Sequence, residues 1–160
     1  MKNIFNAILT AFLLAILYAC SDDGVNNPPP PSGPEPNTIS GKINFLDSGI
    51  VSSGGYYSIL AFTDWPPTSQ YSALDSLIIT PNPYQANYKL KGLNNGTYYV
   101  VIAWTKIPYG PGSNYILGLY NCNPPSLTCS PTPVNIQNNQ GVDNINPVAY
   151  LDTARKIISF

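Results

Sequence analysis

The chain has 160 residues, enough for one domain of ordinary size with short additional segments. Only 9% of the residues are charged, the net charge is −1, and no basic run is present, so nucleic acid is not an expected partner. The absence of histidine removes the commonest general base and the commonest metal ligand. Seventeen prolines, twelve glycines and twelve tyrosines are typical of a turn-rich β protein.

Residues 1–19 have the features of a signal peptide. Lys2 supplies a minimal positive region, and residues 4–17 form an apolar stretch that is too short to span a membrane comfortably. The sequence Leu17-Tyr18-Ala19-Cys20 resembles the lipobox of bacterial lipoproteins, which implies cleavage before Cys20 and palmitate-type acylation of that cysteine. The alternative is an ordinary secretory signal that happens to end near a cysteine.

The three residues that directly follow Cys20 bear on where the protein is displayed. Ser21-Asp22-Asp23 resembles the acidic surface-export signal of lipoproteins in the Bacteroidetes and their relatives, and a solvated acidic turn is the alternative. Each buried methylene of an acyl chain contributes about 0.8 kcal/mol to membrane binding. Two or more attached acyl chains therefore hold a domain stably on a membrane. We therefore expect a cell-envelope protein, anchored to the outer membrane through Cys20 alone and exposed at the cell surface.

Residues 20–37 are predicted to be a lipid-anchored, proline-rich linker. The segment 24–37, GVNNPPPPSGPEPN, has no hydrophobic pattern, and its prolines favour extended polyproline II. Such a segment cannot bury enough apolar surface to fold, so it is expected to act as a semi-rigid spacer. A proline-rich recognition motif for a partner is the alternative.

Residues 38–151 are predicted to form one β domain. The most patterned stretch, 88–107 (YKLKGLNNGTYYVVIAWTKI), predicts a hairpin whose tight turn uses the tolerance of Asn94, Asn95 and Gly96 for positive φ. Its second arm is expected to be buried on both faces. Regularly spaced turn signals predict an all-β antiparallel sandwich. The strands are predicted at 38–45, 56–63, 74–80, 85–93, 96–107, 115–120, 134–137 and 142–151.

Residues 152–160 form a C-terminal extension without a predicted place in this sandwich. Its apolar residues Ile157, Ile158 and Phe160 indicate that it packs against the domain rather than trailing from it.

Three stretches resemble carboxypeptidase regulatory-like domains. They are 38–45 (TISGKINF), 88–104 (YKLKGLNNGTYYVVIAW) and 131–151 (PTPVNIQNNQGVDNINPVAYL). The resemblance implies a transthyretin-like Greek-key sandwich of seven or eight antiparallel strands, used as an accessory, spacer or binding module without catalytic residues. The sequence departs from the family in its long loops at 64–73 and 109–133.

Cys122 and Cys129 are the only thiols left once Cys20 is acylated, and they enclose the eight-residue loop CNPPSLTC. Because an exported compartment favours oxidation, we predict a disulfide, which contributes about 2.5 kcal/mol in the chain-entropy model. A redox-active pair requires C-x-x-C spacing, and a zinc site requires four ligands. Neither requirement is met by this sequence.

The carboxylates of the predicted domain and its C-terminal extension show no spacing typical of acid–base catalysis or of a calcium loop. They are Asp47, Asp64, Asp75, Asp143 and Asp152. A pair that meets in space at one end of the sandwich stays open at this point. A serine nucleophile is disfavoured because neither G-x-S-x-G nor histidine is present. We therefore predict no catalytic residue, no metal and no cofactor, and we do not expect an enzyme.

Loop aromatics are the one hint of a binding site. Trp65, Tyr71 and Tyr109 lie in or near loops, where flat aromatic faces stack on sugar rings or fill partner pockets. The alternative is that they cap the ends of the core. The favoured function is a structural, adhesion or interaction module on an anchored lipoprotein, and the second is carbohydrate binding through these aromatics. The expected partners are the membrane, through Cys20, and a glycan or a protein.

Overall fold

The computed structural model describes residues 33–47 and 51–159. The predicted signal peptide, Cys20, most of the predicted linker and Phe160 lie outside the described residues. The described part of the chain is all-β and contains nine strands and one 3₁₀ turn, Thr153–Arg155. The strands are β1 Ile39–Phe45, β2 Gly55–Phe62, β3 Ala73–Ser76, β4 Gln85–Leu90, β5 Gly96–Lys106, β6 Asn114–Leu119, β7 Val134–Ile136, β8 Val148–Ala149 and β9 Ile158–Ser159.

The strands form one sheet that is nearly closed and barrel-like. Its order is β3-β2-β5-β6-β8-β1-β4, with β7 paired to β5 and β9 paired to β6. The two edge strands approach each other, since the Asp75 carboxylate on β3 accepts a hydrogen bond of 2.9 Å from the backbone N–H of Lys89 on β4. This bond occupies one backbone donor of an otherwise open strand edge.

Among the described residues, two apolar clusters pack on the inner face of this sheet and one packs on the outer face. The larger inner cluster combines residues from distant strands, such as Ile39 and Ile43 on β1, Ile59 on β2 and Ile102 on β5. The smaller inner cluster contains Tyr57, Trp104, Leu117 and Leu151. The outer cluster covers only β2, β5 and β6, and it contains Leu60, Phe62, Val101, Ala103, Ile116, Leu119 and Cys122. Because successive side chains of a strand point to opposite faces, β5 contributes to the clusters on both faces. Its predicted burial on both faces is confirmed for residues 100–105.

Local sequence pattern located most strands correctly. The strands predicted at 38–45, 56–63, 96–107, 115–120 and 134–137 are confirmed to within one residue at each end. The strand predicted at 74–80 ends early, at Ser76, and the strand predicted at 85–93 ends at Leu90. The errors therefore concern the ends of strands and, more seriously, their pairing.

The predicted hairpin of residues 88–107 is wrong. β4 pairs with β1, whereas β5 pairs with β2, β6 and β7, so the two predicted arms lie apart in the sheet. The connection turns at Gly92, with φ 71°, instead of using positive φ at Asn94 to Gly96. Leu93 then enters the core, and its N–H donates a 3.0 Å hydrogen bond to the carbonyl of Asn37. Because Leu93 is buried while residues 91, 92 and 94–97 are exposed, the connection inserts one side chain into the core and joins two strands that do not pair with each other.

The predicted strand 142–151 is also largely wrong, because only Val148–Ala149 is a strand. Asn144 has a positive φ of 58°, and Pro147 has no N–H to donate to a ladder. β8 pairs antiparallel with β6 but parallel with β1. The sheet is therefore not wholly antiparallel, and its nine strands exceed the predicted seven or eight.

The C-terminal extension packs against the domain. Asp152 caps the 3₁₀ turn by accepting a hydrogen bond from the N–H of Ala154, and β9 then pairs with β6. Ile157 and Ile158 pack on the outer cluster and cover part of it.

Candidate functional site

An open groove lies on the outer face of the sheet, on the part that the C-terminal extension and the loops leave uncovered. In β2, Tyr57 and Ile59 belong to the inner clusters, so the alternate residues Tyr56, Ser58 and Leu60 lie on the outer face. These three residues form the floor of the groove, together with residues from β3, β5 and β6.

Two tyrosines from different loops form the walls of this groove. Tyr71 is 52% exposed and precedes β3, and Tyr109 is 75% exposed and follows β5. They line two adjoining pockets together with Asn114. The wider pocket has a volume of about 580 Å³, within the range of roughly 300–1,000 Å³ typical of ligand sites. The more enclosed pocket holds about 170 Å³ and is lined by Tyr56, Ser58, Leu60, Tyr71, Leu74, Thr105, Tyr109 and Asn114.

The loop that carries Tyr71 is ordered by the carboxylate of Asp64. This carboxylate accepts hydrogen bonds from the N–H of Thr68 at 2.7 Å, from the Thr68 hydroxyl, and from the Ser69 hydroxyl at 2.7 Å. Hydrogen bonds from the Thr68 hydroxyl and then the Ser69 hydroxyl hold the pKa of Asp64 below its usual range. Thr68 and Ser69 also line the wider pocket, so Asp64 orders one side of the groove.

The loop that carries Tyr109 is ordered by Ser113, which is buried. The Ser113 hydroxyl accepts a hydrogen bond of 2.8 Å from the N–H of Gly110. The Ser113 N–H donates to the carbonyl of Gly110 at 3.0 Å, and its carbonyl accepts from the N–H of Lys106 at 2.9 Å. Both loops therefore have internal hydrogen bonds that fix the chain near each tyrosine.

The groove is lined by neutral side chains. Among the described residues that line the two pockets, none carries a charge, and most present a hydroxyl, an amide or an aromatic ring. The Thr105 hydroxyl donates a 2.9 Å hydrogen bond to Oδ1 of Asn114 at the boundary that the pockets share. This composition suits a neutral ligand with several hydrogen-bonding groups and an apolar face.

Ser58 is the unusual residue of the floor. It is 1% exposed, and its hydroxyl has no hydrogen-bond partner among the described residues. In the sheet register it stands opposite Ala103 on β5 and opposite Ser76 on β3. Buried polar groups are normally hydrogen-bonded, so this hydroxyl lacks the partner that a group in its position usually has.

The structure separates Trp65 from the other two predicted aromatics. Tyr71 and Tyr109 share the groove, but Trp65 does not line it and packs, partly buried, against the outer cluster. Sequence reasoning missed Tyr56, Ser58 and Asn114. The detectable signal was a serine in the otherwise apolar strand GYYSILAF, on the same face as Tyr56.

The two remaining cysteines of the predicted disulfide come together. The sulfur atoms of Cys122 and Cys129 lie at bonding distance, and their Cα atoms are 5.9 Å apart, within the usual range for a bridge. Cys122 is buried in the outer cluster, and Cys129 packs against it. The pair therefore anchors the 121–133 loop on the sheet, and neither cysteine lines the groove.

The carboxylates act as structural hydrogen-bond acceptors. Asp47 accepts from the N–H groups of Leu151 and Asp152, and Asp143 accepts from the Asn144 side chain. Within residues 33–47 and 51–159, no group of three potential ligands could hold a metal ion. In the same ranges, no helix is long and apolar enough to cross a membrane.

Comparison with known proteins identifies no relative. No family model matches the chain, and neither the curated proteins nor the solved structures gave a match.

Proposed function

We propose that this chain is a lipoprotein anchored to the bacterial outer membrane and exposed at the cell surface, with a non-catalytic β domain that serves as an interaction module. The observation that carries the proposed binding role is the groove between Tyr71 and Tyr109. It is neutral, aromatic and open, and its two walls are held by hydrogen-bonded loops on a rigid sheet. A preformed concave surface of this kind favours binding with little ordering cost.

The membrane anchor is supported by the sequence of residues 1–37. The lipobox-like Leu17-Tyr18-Ala19-Cys20, the acidic Ser21-Asp22-Asp23 and the proline-rich spacer follow one another in the order that surface display requires. An acylated Cys20 would retain the domain at the membrane, and the spacer would hold the groove away from the lipid surface.

The finer fold assignment is likewise a proposal. The three stretches that resemble carboxypeptidase regulatory-like domains support a transthyretin-like Greek-key sandwich whose layers are the two sides of the nearly closed sheet. Modules of that kind serve as accessory or binding domains, which agrees with a function located in loops and outer-face residues.

The anchor is tested by detergent phase partition of the full chain expressed in a bacterium with labelled palmitate. We expect the wild type to take up label and to enter the detergent phase, and Cys20→Ala to lose both properties. The double variant Cys122→Ser/Cys129→Ser is the matched control and should behave as the wild type. Retention of Cys20→Ala in the detergent phase would show that another segment attaches the protein to the membrane.

Surface exposure is tested separately by digesting intact cells with a protease. The double variant Asp22→Ala/Asp23→Ala should remain in the membrane fraction but become protected from digestion. Equal digestion of the variant and the wild type would mean that the acidic residues are a solvated turn with no export role.

Carbohydrate binding is the second candidate function, and the sharing of one groove by Tyr71 and Tyr109 favours it. A glycan array should show binding by the wild type that is reduced in Tyr71→Ala and in Tyr109→Ala. Trp65→Ala is expected to keep its glycan binding, because Trp65 lies outside the groove. Unchanged binding in both tyrosine variants would remove this groove as the binding site.

A further inference from the structure

The floor of the groove contains a buried polar side chain in addition to the aromatic side chains of its walls. Ser58 is buried at the floor, yet its hydroxyl has no partner among the described residues. Its neighbours on the same face of β2 are Tyr56 and Leu60, and the side chain opposite on β5 is only Ala103. A buried hydroxyl in this position is unfavourable in the free protein, and a ligand that reaches it removes that cost.

The pocket above Ser58 is small, and both apolar and hydrogen-bonding side chains line it. Its volume is about 170 Å³, and it opens beside the wider pocket through the shared residues Tyr71, Tyr109 and Asn114. The Thr105 hydroxyl and the Asn114 amide form a hydrogen-bonded pair in its wall. A molecule that fits here presents hydroxyl-like groups toward the floor and an apolar face toward the tyrosines.

Charge and polarity narrow the class of ligand. An anionic ligand would enter a groove that has no cationic side chain among its described lining residues. A lipid chain would leave the buried Ser58 hydroxyl against hydrocarbon without a hydrogen bond, which is costly. A sugar ring meets both demands, because its hydroxyl groups donate and accept hydrogen bonds and its C–H face packs on aromatic rings.

We propose that this groove binds a neutral sugar unit, with Tyr71 and Tyr109 against its C–H face and the Ser58 hydroxyl hydrogen-bonded to one of its hydroxyl groups. This inference rests on the proposed binding role of the groove, and it adds the ligand class and the specificity-determining floor residue. Ser58 selects a sugar that can place a hydroxyl group into the enclosed pocket.

The test uses the full chain in a detergent without a sugar headgroup, so that the detergent cannot compete. Binding is measured by calorimetry with neutral oligosaccharides of glucose, xylose, mannose and galactose, and with heparin and polygalacturonate as acidic comparators. We expect at least one neutral oligosaccharide to bind. Ser58→Ala should weaken it by about three- to tenfold, and Tyr71→Ala should weaken it by about tenfold or more.

Stability of the variants supplies an independent readout. Ser58→Ala removes an unpartnered hydroxyl, so its thermal midpoint should equal or exceed that of the wild type, which excludes misfolding as the cause of weaker binding. Ser130→Ala changes an exposed serine directly after Cys129; it is the matched control and should leave sugar binding unchanged.

The outcomes separate this inference from the proposed function. If Tyr71→Ala abolishes sugar binding but Ser58→Ala does not change it, the floor contact is wrong and the groove still binds. If only the acidic polysaccharides bind, and Tyr71→Ala prevents it, the neutral class is wrong and the groove remains a binding site. Binding of none of these probes, or binding that both tyrosine variants retain, overturns the neutral-sugar site.

Discussion

The hydroxyl group of Tyr88 donates a hydrogen bond of 2.8 Å to the backbone carbonyl oxygen of Ile145. Both residues are buried. Tyr88 lies on the edge strand β4, and Ile145 lies in the irregular segment that leads into β8. The bond therefore attaches the closing segment of the chain to the sheet, and burial, followed by the neighbouring Tyr120, raises the pKa of Tyr88.

Tyr88→Phe should destabilise the domain by about 1–3 kcal/mol, because it leaves the Ile145 carbonyl buried without this hydrogen bond. The free energy of unfolding is measured by urea denaturation at neutral pH. Tyr109→Phe changes an exposed tyrosine in the same way and should alter stability by no more than about 0.5 kcal/mol. Equal stability of the wild type and Tyr88→Phe would show that the hydrogen bond is dispensable.

The raised pKa of Tyr88 also predicts a loss of folding stability at high pH. Its folded pKa is raised above the ordinary value of about 10, so its contribution is fully present below that value and is lost as pH rises above it. The wild type should therefore lose unfolding free energy more steeply above about pH 10 than Tyr88→Phe does. Parallel stability profiles for the two proteins would mean that Tyr88 ionises equally easily in the folded and unfolded states.

Gly41 on β1 should not tolerate a side chain. A Cβ at this position would meet the carbonyl oxygen of Ile145, which belongs to the backbone and cannot rotate away. We expect Gly41→Ala to cost about 1–3 kcal/mol in thermal or chemical unfolding. Gly33→Ala is the control, since open space surrounds its Cβ position. A Gly41→Ala protein as stable as the control would mean that the closing segment moves aside freely.

The alternation of residues along β1 was sufficient to predict its buried face, on which Gly41 stands. Local pattern could not predict why a glycine is needed there, because the atom it avoids lies more than one hundred positions away in the sequence. The failed hairpin has the same origin. Asn-Asn-Gly indicates a change of direction, but whether the next strand pairs with the previous one or with another part of the sheet depends on where Leu93 finds apolar neighbours.

Part of the candidate site was accessible to sequence reasoning. Tyr71 and Tyr109 were predicted because aromatic residues in polar loops stand out, and the two loops meet only after β2, β5 and β6 have paired. Trp65 lies in the same loop as Tyr71, yet it packs on the outer cluster. Ser58 was missed because a single serine in a strand does not by itself indicate a binding site. Its position opposite Ala103 depends on the strand pairing, which the local sequence does not give.

Removing the bridge between Cys122 and Cys129 should lower the free energy of unfolding by about 2.5 kcal/mol. The double variant Cys122→Ser/Cys129→Ser is compared with the wild type in urea, with Ser130→Ala as the control. A thiol titration of the unfolded, unreduced protein should find neither cysteine free. Two reactive thiols in that titration would refute the bridge.

The hydrogen bonds around Asp64 predict an acid-sensitive groove wall. The pKa of this carboxyl is lowered by its bonds from Thr68 and Ser69, so the bonds are fully present above the ordinary value of about 4 and are lost as pH falls through the lowered value. The N–H of Thr68 donates directly to Asp64, and its protection from hydrogen exchange reports the state of the loop. Asp64→Ala should remove that protection at neutral pH and weaken the binding of any ligand that contacts Tyr71. Asp143→Ala alters an exposed carboxylate elsewhere and should change neither property. Equal Thr68 exchange in Asp64→Ala and the wild type would show that the loop keeps its shape without the carboxylate.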